Sequence, residues 1–258
     1  MTTTGKTDDN VISSLNIYRE FILPGVIVSE PVTRSRTSCI KYNELKLYRE
    51  LSEKLKAEKG SLIPIVCDVS KEEQVLSMFE KIKSEFGGTD VCINNAGLSQ
   101  AAPLLSGKTE QWKNMLDVNV LGLCMCTREA VKSMRERGVD DGHVIQINSG
   151  VGHKQYASNP DGHFYSATKF AVTALVDGLR NELSLSKTHI RVTSISPGLT
   201  ETNFAHRMYV HDPQVAVKKY SAFESLKPVD IADGVIYALS APKHVQVHEV
   251  KINPTEQP

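Results

Sequence analysis

Four times between residues 62 and 198 the chain repeats one pattern: a short apolar run rich in β-branched residues, then a polar or glycine-bearing stop. The runs are 62–66, 91–93, 143–147 and 190–195. Their stops are Cys67-Asp68, Asn94-Asn95-Ala96-Gly97, Asn148-Ser149 and Ser196-Pro197-Gly198. Runs of that length and composition read as strands buried on both faces. Helical patterns separate them, over 72–86, 110–137 and from 165 onward. Alternating strands and helices predict βαβ units and a doubly wound α/β fold around a parallel sheet. In such a sheet the ligand crevice lies outside the carboxyl ends of the strands. All four stops fall on that edge, so the sequence concentrates its polar and glycine residues where a site can form.

The rest of the chain is less regular. Residues 1–16 are polar and unpatterned and predict a disordered N-terminus; 17–258 predict a single domain. Residues 17–23 suit a short helical piece broken by Pro24-Gly25, and Val26-Ile27-Val28 a short strand. Residues 30–38, with Arg34 and Arg36, read as a loop, and 42–59 as a charged helix. Residues 199–226 are long and irregular, a candidate lid over a pocket. A helix over 229–240 and a strand over 245–252 close the chain.

Charge excludes two classes of partner. Lys+Arg and Asp+Glu are both 30, which gives no electrostatic case for nucleic acid or an anionic membrane. No run of about 18 apolar residues predicts a membrane span, and the first ten residues, MTTTGKTDDN, lack an apolar signal core. The five cysteines (Cys39, Cys67, Cys92, Cys124, Cys126) are odd in number, sit mostly in apolar runs and form no Cys-x-x-Cys. They read as buried reduced thiols in a cytoplasmic protein, not as disulfides or zinc ligands.

The chemistry gathers after residue 143. Tyr165 and Lys169 are four apart at the start of a helix, so their side chains share a face. A phenol near pKa 10 is a poor acid or base at neutral pH, and a neighbouring ammonium favours the phenolate. Ser149, at the end of the preceding strand, can hold a substrate oxygen while Tyr165 gives or takes its proton. That is a constellation for carbonyl/alcohol interconversion. Spacing alone does not specify it, since Tyr42 and Lys46 repeat it; the strand-ending serine distinguishes Tyr165. His143, His153 and His163 lack metal spacing and read as loop residues.

Asn94-Asn95-Ala96-Gly97, Asn119, Ser149, Tyr165/Lys169 and Pro197-Gly198-x-x-x-Thr202 stand in the order and spacing of the short-chain dehydrogenases/reductases, and the chain resembles that family over about residues 60–258. The resemblance implies a Rossmann-like sheet and an NADP(H)-dependent carbonyl reductase or alcohol dehydrogenase, NAD being the other option. It implies an apolar substrate, steroid- or isoprenoid-like, with a place in steroid metabolism. Tyr165 would be the general acid/base, Lys169 would tune it and bond the nicotinamide ribose, and Ser149 would hold the substrate oxygen. Asn119 would anchor a water of the proton relay. Asp68, with Val69 beside it, would meet the adenine edge, and Asn95, Ala96 and Gly97 would pass close to the adenosine. Pro197, Gly198, Thr200 and Thr202 would bracket the nicotinamide, and Arg34 would meet the 2′-phosphate. A homodimer or homotetramer would pair through helices 110–137 and 165–183.

Bland alternatives stand beside several of these. Asn119, mid-helix, can bond solvent or a backbone carbonyl. Asp68 can be a helix cap, Asn94 a tie between strands, and Thr202 an ordinary loop threonine.

One part of the family pattern is not in the sequence. A first strand, a Thr-Gly-x-x-x-Gly-x-Gly turn and a helix facing the pyrophosphate are expected, yet only Gly5 and Gly25 precede Gly60. Residues 18–28 resemble the end of that helix and the second strand, which leaves the first strand and glycine turn missing or replaced, with 11–17 the replacement candidate. Losing about five buried side chains at roughly 1.5–3 kcal/mol each costs on the order of 10 kcal/mol, comparable to a whole domain's net stability. Two expectations follow: an active NADP-dependent enzyme, or a variant of the fold that is unstable or cannot hold cofactor.

Overall fold

The computed structural model describes residues 26–29, 35–40, 45–54, 56, 61–155 and 159–257. Its centre is a seven-stranded sheet in the order β3-β2-β1-β4-β5-β6-β7. The strands are β1 (Val26–Ser29), β2 (Ser35–Ile40), β3 (Ser61–Val66), β4 (Val91–Asn94), β5 (His143–Ile147), β6 (Arg191–Pro197) and β7 (Glu249–Ile252). The helices are α1 (Leu45–Lys54), α2 (Glu72–Phe86), α3 (Thr109–Leu116), α4 (Leu123–Glu136), α5 (His163–Leu185), α6 (Asn203–Met208), α7 (Pro213–Tyr220) and α8 (Pro228–Ser240).

Period-two geometry explains why the strands read as continuous apolar runs. Successive side chains point to opposite faces. Cys92, Val144 and Val192 go to one side, packing with Val75, Met78 and Ile82 of α2, Ala130 and Met134 of α4, and Val176 of α5. Ile93, Ile145 and Ile195 go to the other, meeting Ile231, Val235 and Ala238 of α8. Both faces are therefore covered, and each fully buried aliphatic contributes about 1.5–3 kcal/mol. The elements are also pinned by polar bonds. Thr127 Oγ1 of α4 accepts from Asn94 Nδ2 of β4 and from Gln146 Nε2 of β5, both at 2.9 Å. Asn94 is thus structural, as expected, but its tie runs to a helix.

The largest departure from expectation is at the N-terminal side of the sheet. Residues 30–38 do not all form a loop: 35–40 are β2, parallel to β3. Val26–Ser29 is not the second strand but fills the slot between β2 and β4, antiparallel to both. Ile27 pairs with Thr37 on one side and Cys92 on the other. A sheet with that slot empty exposes two edges, and the nearest β-branched run occupies it. Residues 1–25 lie outside the described residues, so the readings of 1–16, 11–17 and 17–23 are not decided.

Other elements differ in detail. The helix expected over 110–137 is interrupted by a π-helical segment, Asp117–Gly122, between α3 and α4. The expected lid, 199–226, contains α6 and α7. The last strand is shorter than expected, Glu249–Ile252. His143 is no loop residue: it opens β5, 1% exposed, with Nε2 bonded to Thr193 Oγ1 at 2.8 Å. Burial, with Arg191 adjacent, pushes its imidazole down to about 3. His163 begins α5. Cys67, Cys92, Cys124 and Cys126 are in no disulfide, and burial raises the Cys126 thiol to about 12. Among the described residues no helix is long and apolar enough to cross a membrane, and no His/Cys/Asp/Glu cluster suits a metal.

Candidate active site

Three hydroxyls on α5 set the site. Helix interiors rarely favour Ser and Thr, whose side chains compete for backbone partners; here that competition is used. Ser166 Oγ donates to Val151 O at 2.6 Å, and Thr173 Oγ1 to Gly152 O at 3.0 Å. Asn148 Nδ2 donates to Thr173 Oγ1 at 2.9 Å. These bonds dock the first turns of α5 onto the turn after β5, which carries Ser149. Ser149 has extended backbone, and its Oγ donates to Pro197 O at 3.4 Å. Ser149 is the side chain that acts on the Tyr165 hydroxyl, favouring its phenolate. Lys169 Nζ donates to Ile147 O at 2.8 Å and lies 5.8 Å from the centre of the Tyr165 ring. The phenol, the serine hydroxyl and the ammonium therefore share one crevice at the carboxyl edge of β5 and β6. By contrast, Lys46 of the other Tyr-x-x-x-Lys is exposed and 3.9 Å from Glu50.

Burial dominates the electrostatics. Lys169 is 5% exposed, and loss of solvent lowers its ammonium from 10.5 to about 8. Tyr165 is pushed well above the ordinary phenol range by burial, with Ser149 pulling the other way. The expected lowering of the phenol by Lys169 is absent from this arrangement. The reason is placement: the ammonium sits over the ring and bonds the Ile147 carbonyl.

Asn119 lies in the π-helical segment, 1% exposed. Its amide does not reach for solvent. Oδ1 accepts from Leu98 N at 2.9 Å; Nδ2 donates to Leu98 O at 2.8 Å and Thr168 Oγ1 at 3.0 Å. Thr168 Oγ1 in turn donates to Tyr165 O at 2.7 Å. Asn119 thus clamps the loop after β4 to the turn of α5 bearing the tyrosine, and both amide hydrogens are used. A water bound by this residue would have to use its other atoms. Gly97 faces the same place: a Cβ there would lie 3.6 Å from Asn119 Oδ1 and 3.9 Å from Lys169 Nζ. Those are ordinary contacts, so the position is open toward the crevice. Asn95 and Ala96 precede it on the same partly buried loop, with Asn95 N donating to Ile93 O at 3.1 Å.

The remaining predicted positions divide. Asp68 is exposed at the end of β3 and forms a local turn, Oδ1 accepting from Ser70 N at 3.0 Å and Ser70 Oγ at 2.8 Å. It is not the α2 cap, a place taken by Lys71. Val69 is buried against Gly122; a Cβ at Gly122 would come within 2.9 Å of Val69 O, so only glycine permits that approach. Pro197 ends β6 and touches Ser149 through its carbonyl. Gly198 is packed by the C-terminal segment: a Cβ there would lie 2.5 Å from Gln257 Oε1 and 2.7 Å from Asn253 Oδ1. Thr200 Oγ1 donates to Gly198 O at 3.2 Å, and Thr202 caps α6 by accepting from Phe204 N at 3.1 Å. Arg34 lies outside the described residues.

Sequence reasoning missed Ser166, Thr168, Thr173 and the partners of His153. The available signal was the hydroxyls inside an otherwise amphipathic helix. Phe204 of α6 packs on Tyr165 with ring centroids 5.4 Å apart and planes at 59°. The crevice wall beside the phenol is therefore apolar.

Comparison with known proteins agrees with this geometry. A family model described as short chain dehydrogenase matches residues 35–212. Dehydrogenase/reductase SDR family member 11 of Gallus gallus is 57% identical over 198 residues, 77% of each chain. Farnesol dehydrogenase of Aedes aegypti is 41% identical over 197 residues, 76% of each. Among solved structures, the closed form of serine dehydrogenase complexed with NADP+ superposes with a TM-score of 0.72 at 32% identity, covering 81% of this chain and 83% of that one. A Tyr-Lys pair with its lysine buried beside a strand-end serine, on a doubly wound sheet with these relatives, places the chain in the short-chain dehydrogenase family of oxidoreductases.

Proposed function

We propose that the protein interconverts a carbonyl and an alcohol on an apolar, isoprenoid-like substrate, with NADP(H) as its redox partner. The observation that carries this reading is that Tyr165, Ser149 and the buried Lys169 meet at the end of β5. In carbonyl reduction, Ser149 Oγ donates to the substrate oxygen and holds it against the Tyr165 hydroxyl. Tyr165 then gives its proton to that oxygen, and takes it back in the oxidising direction. Phe204 shields the phenol from water, which strengthens each of these bonds. A bound nicotinamide would supply or accept the hydride, which no side chain here can do. Its ribose end suits the residues present. Lys169 is a buried ammonium with three donors, of which the Ile147 carbonyl takes one, and Gly97 leaves room beside it. The NADP+ in the serine dehydrogenase structure and the farnesol of the mosquito relative support the choice of cofactor and substrate class. The Phe204 ring beside the phenol supports the same substrate class.

A second reading is a variant of the fold that holds no dinucleotide. One observation favours it: β1 pairs with β2 antiparallel, whereas a crossover helix that presents its N-terminus to a pyrophosphate joins parallel strands. Titration with NADPH, followed by nicotinamide fluorescence, separates the two. Saturable binding at micromolar concentrations supports the first, and none up to millimolar overturns it. With farnesol and NADP+ as substrates, Tyr165→Phe is expected to abolish turnover while leaving nucleotide affinity nearly unchanged. A mutant retaining most of its rate would remove Tyr165 from the role of proton carrier.

A further inference from the structure

His153 stands just past the 3₁₀ turn Gly150–Gly152 that follows Ser149, and its surroundings are unusual for a loop residue. Its Nε2 lies 2.5 Å from Glu249 Oε1 of β7 and 3.1 Å from Ser196 Oγ of β6. Ser196 Oγ donates to the same Glu249 oxygen at 2.6 Å, and Ser194 Oγ is 3.3 Å from Ser196 Oγ. Ser194 and Ser196 are both buried. Lys251 Nζ, 3.4 Å away, takes the other Glu249 oxygen. None of these residues forms part of the proton path described above.

Their connection to it is geometric. Ser149 Oγ bonds the carbonyl of Pro197, and His153 bonds the side chain of Ser196, the preceding residue on β6. The five residues from Ser149 to His153 are closed by their own turn, Gly152 N donating to Ser149 O at 2.9 Å and His153 N to Gly150 O at 3.1 Å. The turn is thus attached to the sheet at two points, one at each end. Its other attachments, from Ser166 and Thr173, go to α5. The Ser149 contact is long, at 3.4 Å, and cannot fix the hydroxyl alone. The His153 contact is short and shared with a carboxylate, the stronger class of hydrogen bond.

We propose that His153 is a positioning residue for the reaction: through Glu249 and Ser196 it pins the turn that holds the Ser149 hydroxyl opposite Tyr165. The inference rests on the proposed function, since it assigns a role in that same site. A hydroxyl displaced by about 1 Å costs up to a hundred-fold in rate, while nucleotide binding does not depend on it.

The test compares wild type, His153→Leu and His153→Gln with farnesol and NADP+. It also follows amide hydrogen exchange over 150–154. His153→Leu is expected to lose roughly ten- to a hundred-fold in kcat and to keep KM for farnesol and NADP+ affinity within about three-fold. Amides 150–154 are expected to exchange faster in that variant while those of β5 and α5 do not. The glutamine amide can still donate to Glu249, so His153→Gln is expected to recover most of the rate and the protection. The proposal is overturned by a leucine variant with wild-type kcat, by equal losses in kcat and nucleotide affinity, by a glutamine variant as poor as leucine, or by unchanged exchange at 150–154. A wild type inert toward farnesol would sink the substrate reading instead, and the exchange comparison would then decide alone whether His153 holds the turn.

Discussion

Lys169 is where burial and chemistry conflict most directly. Its ammonium is lowered from 10.5 to about 8 by loss of solvent. For a basic group lowered on folding, the unfolded chain binds more protons between those two values. Stability therefore rises with pH across that window, and the penalty, about 3 kcal/mol at most, is fully present below pH 8. A ligand that accepts hydrogen bonds from the ammonium favours the charged form and works against the same shift. NADPH affinity is accordingly expected to weaken roughly ten-fold from pH 7 to pH 9 as the free protein's lysine loses its proton. In Lys169→Met the profile should be flat. Fluorescence titrations across that range decide it, and a pH-independent wild type would mean that the lysine does not contact the nucleotide. At this scale the sequence was readily legible for Tyr165, Lys169 and Ser149, because i,i+4 spacing and a strand end are local facts. It was not legible for the direction of the Tyr165 shift, which depends on where a flexible lysine settles among non-local carbonyls.

The elements were read well where a period is long and uninterrupted. Residues 72–86 were expected as a helix and form α2 over those residues. The π segment was invisible because one extra residue in a turn leaves the apolar pattern of 110–137 nearly intact. Nor does the local pattern show that Gly122, at its end, packs closely against Val69. The same applies to Thr127, which nothing local marks as a hub. It holds the side-chain amides of Asn94 and Gln146, one from each of two neighbouring strands. Thr127→Val keeps the shape and removes the acceptor, leaving two buried N–H groups unmet. Each costs about 1–3 kcal/mol, so urea unfolding should register a loss of roughly 2–6 kcal/mol, and Thr127→Ser should recover most of it. A valine variant as stable as wild type would mean that the amides find other acceptors.

The whole molecule turns on how the centre of the sheet is filled. Local pattern marked Val26-Ile27-Val28 as strand-forming but could not assign its slot or direction. Those are set by β2 and β4, which are distant in sequence and each need a partner on that side. The crevice depends on the result, since β4 carries the loop with Gly97 and β1 is its neighbour toward β2 and β3. Ile27 is the position where the ladder is shared, paired with Thr37 in β2 and Cys92 in β4. Proline there removes a ladder donor from a strand flanked on both sides, a placement that sheets confine to edges and bulges. Ile27→Pro should therefore lower stability by several kcal/mol, a large share of the roughly 5–15 kcal/mol that holds a domain folded. Proline at Leu105, an exposed loop position, serves as the control and should change little. If thermal unfolding of Ile27→Pro matched wild type, the central slot would not be held by Val26–Ser29, and the sheet would have to be stabilised from elsewhere in the chain.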